Sequence, residues 1–186
     1  MKPKTTKSSR ISVRELAIFA MLGTIMFCGD ITMNWAMNVH FVGAFLMVYT
    51  IVYRGRALIP FYLYTVLIGL YEGFGLWWIS YLYIWLPLWG ATMLLPRRMP
   101  RKVAIPVYAV VCALHGLSFG TLYAPLWALI QGLNMQGILT WIAFGLSADV
   151  LHAVGNFAGG LLVVPMAELL LRLEKRTAVR AVRSPR

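Results

Sequence analysis

The feature that most constrains this chain is the spacing of charges along a largely apolar sequence. Residues 57–95 contain no Lys or Arg, and Glu72 is the only carboxylate among them. A membrane-spanning helix needs about 20 mainly apolar residues, because the bilayer core offers its backbone no water to bond. This stretch therefore predicts two spanning helices, joined by a turn at the glycines of residues 73–75.

Four further apolar segments predict spanning helices as well. The predicted spans run from about Glu15 to Ile31, from Trp35 to Tyr53, from Val103 to Leu133, and from Ile138 into the basic tail at Arg172. With the pair in residues 57–95 they make six. The sequence therefore predicts an all-α integral membrane bundle of six transmembrane helices over residues 14–176, between a basic N-terminus (1–13) and a flexible basic tail (177–186).

The composition excludes an ordinary soluble domain. Sixty per cent of the residues are hydrophobic and 12% are charged, with seven Trp, nine Tyr and nine Phe. A soluble domain of 186 residues would expose large apolar patches with this content. The chain is therefore expected in the cell membrane, in contact with lipid.

The net charge of +11 is explained by where the 17 Lys and Arg residues lie. They occupy residues 2–14, 54–56, 97–102 and 172–186, which all fall on one side of a six-span topology. Basic residues at the ends of apolar spans stay on the cytoplasmic side. This pattern predicts that both termini are cytoplasmic, and it accounts for the charge without a nucleic-acid partner.

Ionisable groups at membrane depth are costly, so each is a functional candidate. Three of the six, His115, Asp149 and His152, follow helical periodicity along spans five and six. Span six places Trp141, Gly145, Asp149, His152 and Asn156 on one face, and span five does the same with His115, Phe119, Tyr123, Trp127 and Gln131, although Pro125 is expected to kink it. Further candidates are Asp30, Asn34, Asn38, His40 and Glu72.

His115 and Asp149 both fall near mid-bilayer at ~1.5 Å per residue, so they could meet. Two interpretations stay open: a hydrogen-bonded pair between helices with aromatic packing around it, or a ligand pocket. The pocket interpretation predicts a substrate-binding set comprising Asp30, Asn34, Glu72, Trp77, Trp78, Tyr81, His115, Tyr123, Trp127, Trp141, Asp149, His152 and Asn156.

The chemistry expected of this pocket is binding, not catalysis. His115, Asp149 and His152 are suitable metal-ligand types, but no further close ligand supports a metal site. The sequence has no HExxH, CxxC or Walker motif, so no enzymatic activity and no cofactor are expected. Aromatic walls near carboxylates, without Lys or Arg in the outer half, favour a neutral or cationic ring-containing solute.

The start of span one, residues 14–24 with the sequence RELAIFAMLGT, resembles the opening helix of the substrate-binding S components of energy-coupling factor (ECF) transporters. The chain is also similar to that family in length and predicted topology. The family's first helix often carries Ala-x-x-x-Ala, whereas Met21 and Thr24 stand four residues after Ala17 and Ala20.

The resemblance implies uptake of a vitamin-like solute in complex with a transmembrane T component and two cytoplasmic ABC-type ATPases. The small residues Ala17, Ala20, Gly23 and Thr24 would let a partner helix approach closely. Two alternatives remain: a self-contained, proton-linked secondary carrier that uses Glu72, Asp149 and the histidines, and an assembly partner without a ligand.

Overall fold

The computed structural model describes residues 11–33 and 40–183, with side chains to residue 176. In these ranges every regular element is helical, which confirms the predicted all-α class. The elements are α1 (Val13–Thr32), α2 (Val42–Tyr53), a 3-10 turn (Arg54–Ala57), α3 (Leu58–Glu72), α4 (Leu76–Tyr81), α5 (Leu86–Leu94), α6 (Arg101–Leu117), α7 (Phe119–Gln131), α8 (Met135–Leu161) and α9 (Val163–Arg183).

Four helical segments are long and apolar enough to cross a membrane: 13–32, 42–72, 101–131 and 135–161. Their outward surfaces suit lipid. Phe144 is 88% exposed, and Leu129 is 81% exposed. Water would penalise so many exposed apolar side chains, whereas lipid does not. The helices are therefore those of a membrane protein, as the composition predicts.

The first helix begins with a capping box. The Ser12 hydroxyl accepts from the Glu15 N–H at 3.2 Å, and the Glu15 carboxylate accepts from the Ser12 N–H at 2.9 Å. These bonds satisfy two backbone donors that the start of a helix leaves free, so α1 begins at Val13.

Polar contacts gather the start of α1 and the neighbouring basic segments at one end of the bundle, which we call the basic end. The ends of α2 and α5, the start of α6 and the α9 residues Glu168 and Glu174 lie at this end. The contacts are Arg56 with Glu15 at 2.6 Å, the Tyr53 hydroxyl with Glu174 at 2.7 Å, Arg54 with the Met93 carbonyl at 2.6 Å and Arg101 with Glu168 at 3.9 Å.

Helices α6 and α8 pack closely because glycines line their interface. A Cβ added at Gly160 would lie 2.5 Å from the Ala109 Cα, and one added at Gly116 would lie 2.8 Å from the His152 carbonyl oxygen. Small residues allow such close backbone approach between membrane helices. This interface fixes the relative position of the two polar stripes.

Three predicted spans are interrupted. Span four divides into α4 and α5 around residues 82–85, span five breaks at Ser118, and span six breaks at Leu162. Pro125, where the sequence predicts a kink, lies inside α7. The physical reason at the first two breaks is that side chains of other helices bond the freed backbone groups, as described below.

The ends of two spans also differ from the sequence-based boundaries. Helix α9 extends to Arg183, past the predicted domain boundary at residue 176. Helix α8 starts at Met135, slightly before the predicted Ile138, because Asn134 caps it by accepting from the Gly137 N–H at 2.9 Å. The predicted start of span two at Trp35 lies outside the described residues, and α2 begins at Val42.

Candidate functional site

The two polar stripes face each other inside the bundle. His115 on α6 and Asp149, His152 and Asn156 on α8 are all buried, with 2–6% of each residue exposed. A Cβ added at Gly116, the residue after His115, would lie 2.8 Å from the His152 carbonyl oxygen, and the Asp149 carboxylate accepts from the Gly120 N–H at 2.9 Å. The two polar stripes therefore meet at the same level of the bundle.

Asp149 caps the broken helix beside it. Its carboxylate oxygen Oδ1 accepts from the Gly120 N–H at 2.9 Å, while Ser118, the residue at the start of α7, provides no side-chain cap. A helix start leaves backbone N–H groups unpaired and favours negative charge. A Cβ at Gly120 would lie 2.6 Å from Asp149 Oδ2, so glycine is needed for this approach.

His115 bonds the backbone at the break between α4 and α5. Its Nε2–H donates to the Ile84 carbonyl at 2.8 Å, and Ile84 lies in the non-helical turn between α4 and α5. The hydrogen bond considered between His115 and Asp149 is thus replaced by two separate bonds, each to a backbone group freed by a helix break. Discontinuous helices at membrane depth commonly line binding sites.

Five rings form a compact group that we call the His–aromatic cluster: His40, Trp85, His115, Phe119 and His152. The Nε2 atoms of His40 and His152 are 2.6 Å apart. Trp85 is tilted by 31° relative to His115, with ring centroids 5.0 Å apart, and the ring centroid of Phe119 lies 4.5 Å from that of His152. Residues from α6, α7 and α8 and from the segments before α2 and α5 therefore converge on one point.

Several polar atoms of this region have no hydrogen-bond partner among the described residues. They are Nδ1 of His40, Nδ1 of His115, Nε1 of Trp85 and Nδ2 of Asn156, all buried. Buried polar groups are nearly always hydrogen-bonded. The region therefore retains hydrogen-bonding capacity that a polar solute or water can use.

An open cleft of about 700 Å³ lies between the far ends of α7 and α8, away from the basic end. The rings of Trp127 and Trp141 form one wall, with centroids 5.1 Å apart and planes at 32°. No ionisable side chain is among the lining residues, which are Trp127, Gln131, Leu133, Asn134, Gln136, Gly137, Thr140, Trp141 and Phe144. The cleft can stack an apolar ring and offer it amide and hydroxyl groups.

Tyr123 connects the cleft to the His–aromatic cluster along one face of α7. It lies four residues after Phe119 and four before Trp127, which places the three rings on one side of the helix. Tyr123 is half-buried, whereas Phe119 contacts the cluster and Trp127 lines the cleft. The predicted stripe of span five thus leads from the cleft to the buried cluster.

Three other predicted site residues, Trp77, Trp78 and Tyr81, lie on α4. Tyr81 is 5.3 Å from Trp77 and 6.0 Å from Trp85, between ring centroids, and so adjoins the His–aromatic cluster. Trp78 donates to the Thr65 carbonyl at 2.7 Å.

The predicted acidic residues are separate from the cleft. Asp30 accepts from the Tyr64 hydroxyl at 2.7 Å, and Glu72 is exposed at the end of α3. Neither residue lines the cleft between α7 and α8. Asn34 and Asn38 lie outside the described residues.

The predicted docking residues divide between two faces of α1. Ala17, Ala20 and Thr24 are exposed, and Thr24 bonds the Ala20 carbonyl of its own helix at 2.9 Å. Gly23 is buried against α3, where an added Cβ would lie 2.8 Å from the Pro60 carbonyl oxygen. Gly23 therefore serves packing within the chain, and the exposed small-residue face comprises the other three.

The sequence placed His115, Asp149, His152 and Asn156 at the site but did not include His40, Trp85 or Phe119 in the binding set. His40 was recognisable as an ionisable group beside a span, but its pairing with His152 joins residues 112 positions apart.

Among residues 11–33 and 40–183, no group of three or more His, Cys, Asp or Glu side chains is arranged to hold a metal ion.

Replacement of Asp149 tests its capping role. Asp149→Ala leaves the Gly120 N–H without its acceptor, which costs about 1–3 kcal/mol for a buried donor. We expect the midpoint of thermal unfolding in detergent to fall by about 5 °C, and Asp149→Asn, which keeps an acceptor oxygen, to recover most of that loss. Equal losses in the two variants would contradict the capping role.

Searches of protein-family models, of curated proteins and of solved structures found no match to this chain.

Proposed function

We propose that the chain is a membrane-embedded binding protein that captures a small solute at the cleft between α7 and α8. One observation carries this proposal: the paired Trp127 and Trp141 rings bound an open, uncharged cleft at the end opposite the basic residues. Aromatic walls with a few amide groups suit a ring-containing solute.

The lining also bears on the solute's charge. Gln131, Asn134, Gln136 and Thr140 provide hydrogen bonds but no formal charge, and no Lys or Arg lies among them. An anion would lack a countercharge. A cation would gain cation–π contact with Trp, worth about 0.5–2 kcal/mol. It would find no carboxylate among the lining residues to pair with. The solute is therefore neutral or cationic, and a neutral ring fits the lining best.

The proposal includes six crossings with both termini in the cytoplasm. The contacts at the basic end support this topology. They involve the start of α1, the ends of α2 and α5, the start of α6, and Glu168 and Glu174 of α9. Helix α2 runs antiparallel to α1, because Tyr49 bonds Leu22 while Tyr53 contacts Phe19. Helix α3 runs parallel to α1, because Pro60 lies beside Gly23 while Tyr64 bonds Asp30. The chain therefore reverses direction at Arg54, whose φ is +57°. The predominance of Lys and Arg at this end marks it as cytoplasmic.

Cysteine labelling tests this topology. In a chain with Cys28 and Cys112 replaced by Ala, a cysteine at Arg98 is expected to react with a membrane-impermeant maleimide only in inverted vesicles. Cysteines at Glu72 and Gln136 are expected to react in intact cells. Labelling of all three positions from one side would contradict the six-span arrangement.

We further propose that the chain works as the S component of an ECF transporter for a vitamin-like solute. The support is the resemblance of residues 14–24 and the exposed small face of Ala17, Ala20 and Thr24, which allows close approach of a partner helix. The partners are a transmembrane T component and two ABC-type ATPases, which supply the energy for uptake.

Coexpression with these partners tests the assignment. The expected result is a stable complex and solute uptake that requires ATP, both weakened when Ala17 and Ala20 are replaced by Leu. Met21→Leu, at an exposed position on the same helix, is the matched control. Absence of a complex together with absence of ATP-dependent uptake would overturn the S-component proposal.

A second candidate function, a proton-linked secondary carrier, is favoured by the 2.6 Å contact between His40 and His152 at membrane depth. One proton shared by this pair could couple to solute movement. The energy source separates the two functions. Uptake that persists without ATPases and collapses when the proton gradient is dissipated would identify the carrier.

A further inference from the structure

A small polar cavity lies at the basic end, between the end of α2 and the segment that links α5 to α6. Its volume is about 160 Å³, room for about five water molecules at ~30 Å³ each. Its lining residues are Ile51, Val52, Arg54, Pro96, Arg97 and Tyr108. Two arginines and one tyrosine are thus among the lining residues, and no Asp or Glu is.

Arg54 is held firmly in this cavity. Its backbone has the left-handed φ of +57°, which a non-glycine residue adopts only when its surroundings fix it. Its Nη2 donates to the Met93 carbonyl at 2.6 Å, and its own carbonyl accepts from Trp89 Nε1 at 3.4 Å. Its Nε is buried and has no hydrogen-bond partner within the described part of the chain.

The carboxylates of the basic end are engaged elsewhere. Glu15 pairs with Arg56 at 2.6 Å, and Glu168 lies 3.9 Å from Arg101. Glu174 accepts from Tyr53 at 2.7 Å. Among the described residues, neither Arg54 nor Arg97 forms an ion pair, so the positive charge of the cavity is uncompensated.

We propose that this cavity binds a phosphate group, with Arg54 and Arg97 as its ligands. Guanidinium groups recognise phosphate through directed, charge-assisted hydrogen bonds, and the unpaired Nε of Arg54 supplies one donor. The phosphate has two possible sources: the headgroup of an anionic phospholipid in the adjacent leaflet, or free phosphate. The site is independent of solute capture at the opposite end.

Measuring which phospholipid the protein retains tests whether the bound phosphate group belongs to a lipid headgroup. Purified protein, exchanged into micelles containing equal amounts of phosphatidylglycerol and phosphatidylcholine, is examined by native mass spectrometry. Wild type is expected to retain phosphatidylglycerol preferentially, and Arg97→Gln to reduce that retention roughly tenfold. Arg98→Gln, which removes an equal charge from the adjacent exposed position outside the cavity, is expected to have little effect.

A parallel arm tests free phosphate. Thermal unfolding is compared in inorganic phosphate and in chloride of matched ionic strength, for wild type, Arg97→Gln and Arg98→Gln. Stabilisation by phosphate that only Arg97→Gln abolishes, without preferential lipid retention, identifies the free anion as the ligand. Equal effects of the two variants in both arms, or no preference for either probe in the wild type, would overturn the proposal.

Discussion

Gly160→Leu is expected to lower the midpoint of thermal unfolding by about 10 °C. The added Cβ alone would lie 2.5 Å from the Ala109 Cα, a backbone atom that cannot move without separating α6 from α8. Overpacking of this kind costs typically about 1–3 kcal/mol and sometimes more, and each kcal/mol lowers the midpoint by roughly 2–4 °C for a chain of this size. Tryptophan fluorescence during heating in detergent would measure the shift.

Gly145→Leu is the matched control because Gly145 lies on the same helix but has no atom within 4 Å of an added Cβ. Leucine favours helix over glycine by about 1 kcal/mol, so this variant is expected to unfold at the same or a slightly higher temperature. Similar losses in both variants would show that the effect comes from adding a large side chain to α8, not from the α6–α8 interface.

The double substitution of Trp127→Ala and Trp141→Ala is expected to reduce solute binding by at least about tenfold. The two rings are the wall of the cleft. Truncation of an aromatic residue at the centre of a binding site commonly costs about 2 kcal/mol or more. The measurement is the amount of solute that copurifies per mole of protein, or its dissociation constant once the solute is identified.

Leu129→Ala on α7 and Leu139→Ala on α8 control for truncation of a large side chain. Both leucines are exposed, at 81% and 60%, and neither lines the cleft. We expect these variants to bind as wild type. If the tryptophan variant also retains full solute while the fold is intact, the site does not lie in the cleft.

Much of the architecture was predictable because it depends on local sequence. The apolar segments predicted membrane helices, and the spacing of His115, Asp149, His152 and Asn156 predicted buried polar faces; the structure places all four inside the bundle. Helical periodicity is a property of neighbouring residues, so it can be read without knowledge of the fold.

The helix breaks were not predictable in the same way. Pro125 was the local signal in span five, yet the chain breaks at Ser118, where Asp149 accepts the Gly120 N–H from a position 29 residues away. Likewise, Gly23 belongs to a run of small residues, and whether it faces a partner or α3 depends on the position of Pro60. Such features arise from contacts between helices, which sequence spacing does not encode.

Mass spectrometry of the small molecules released from purified protein tests directly whether this chain is a membrane-embedded solute-binding protein. We expect one ring-containing solute, neutral or cationic, at close to one molecule per chain in wild type and strongly reduced when Trp127 and Trp141 are replaced by Ala. A released profile identical in the wild type and the double variant, with no solute above that of empty micelles even after growth in rich medium, would contradict it.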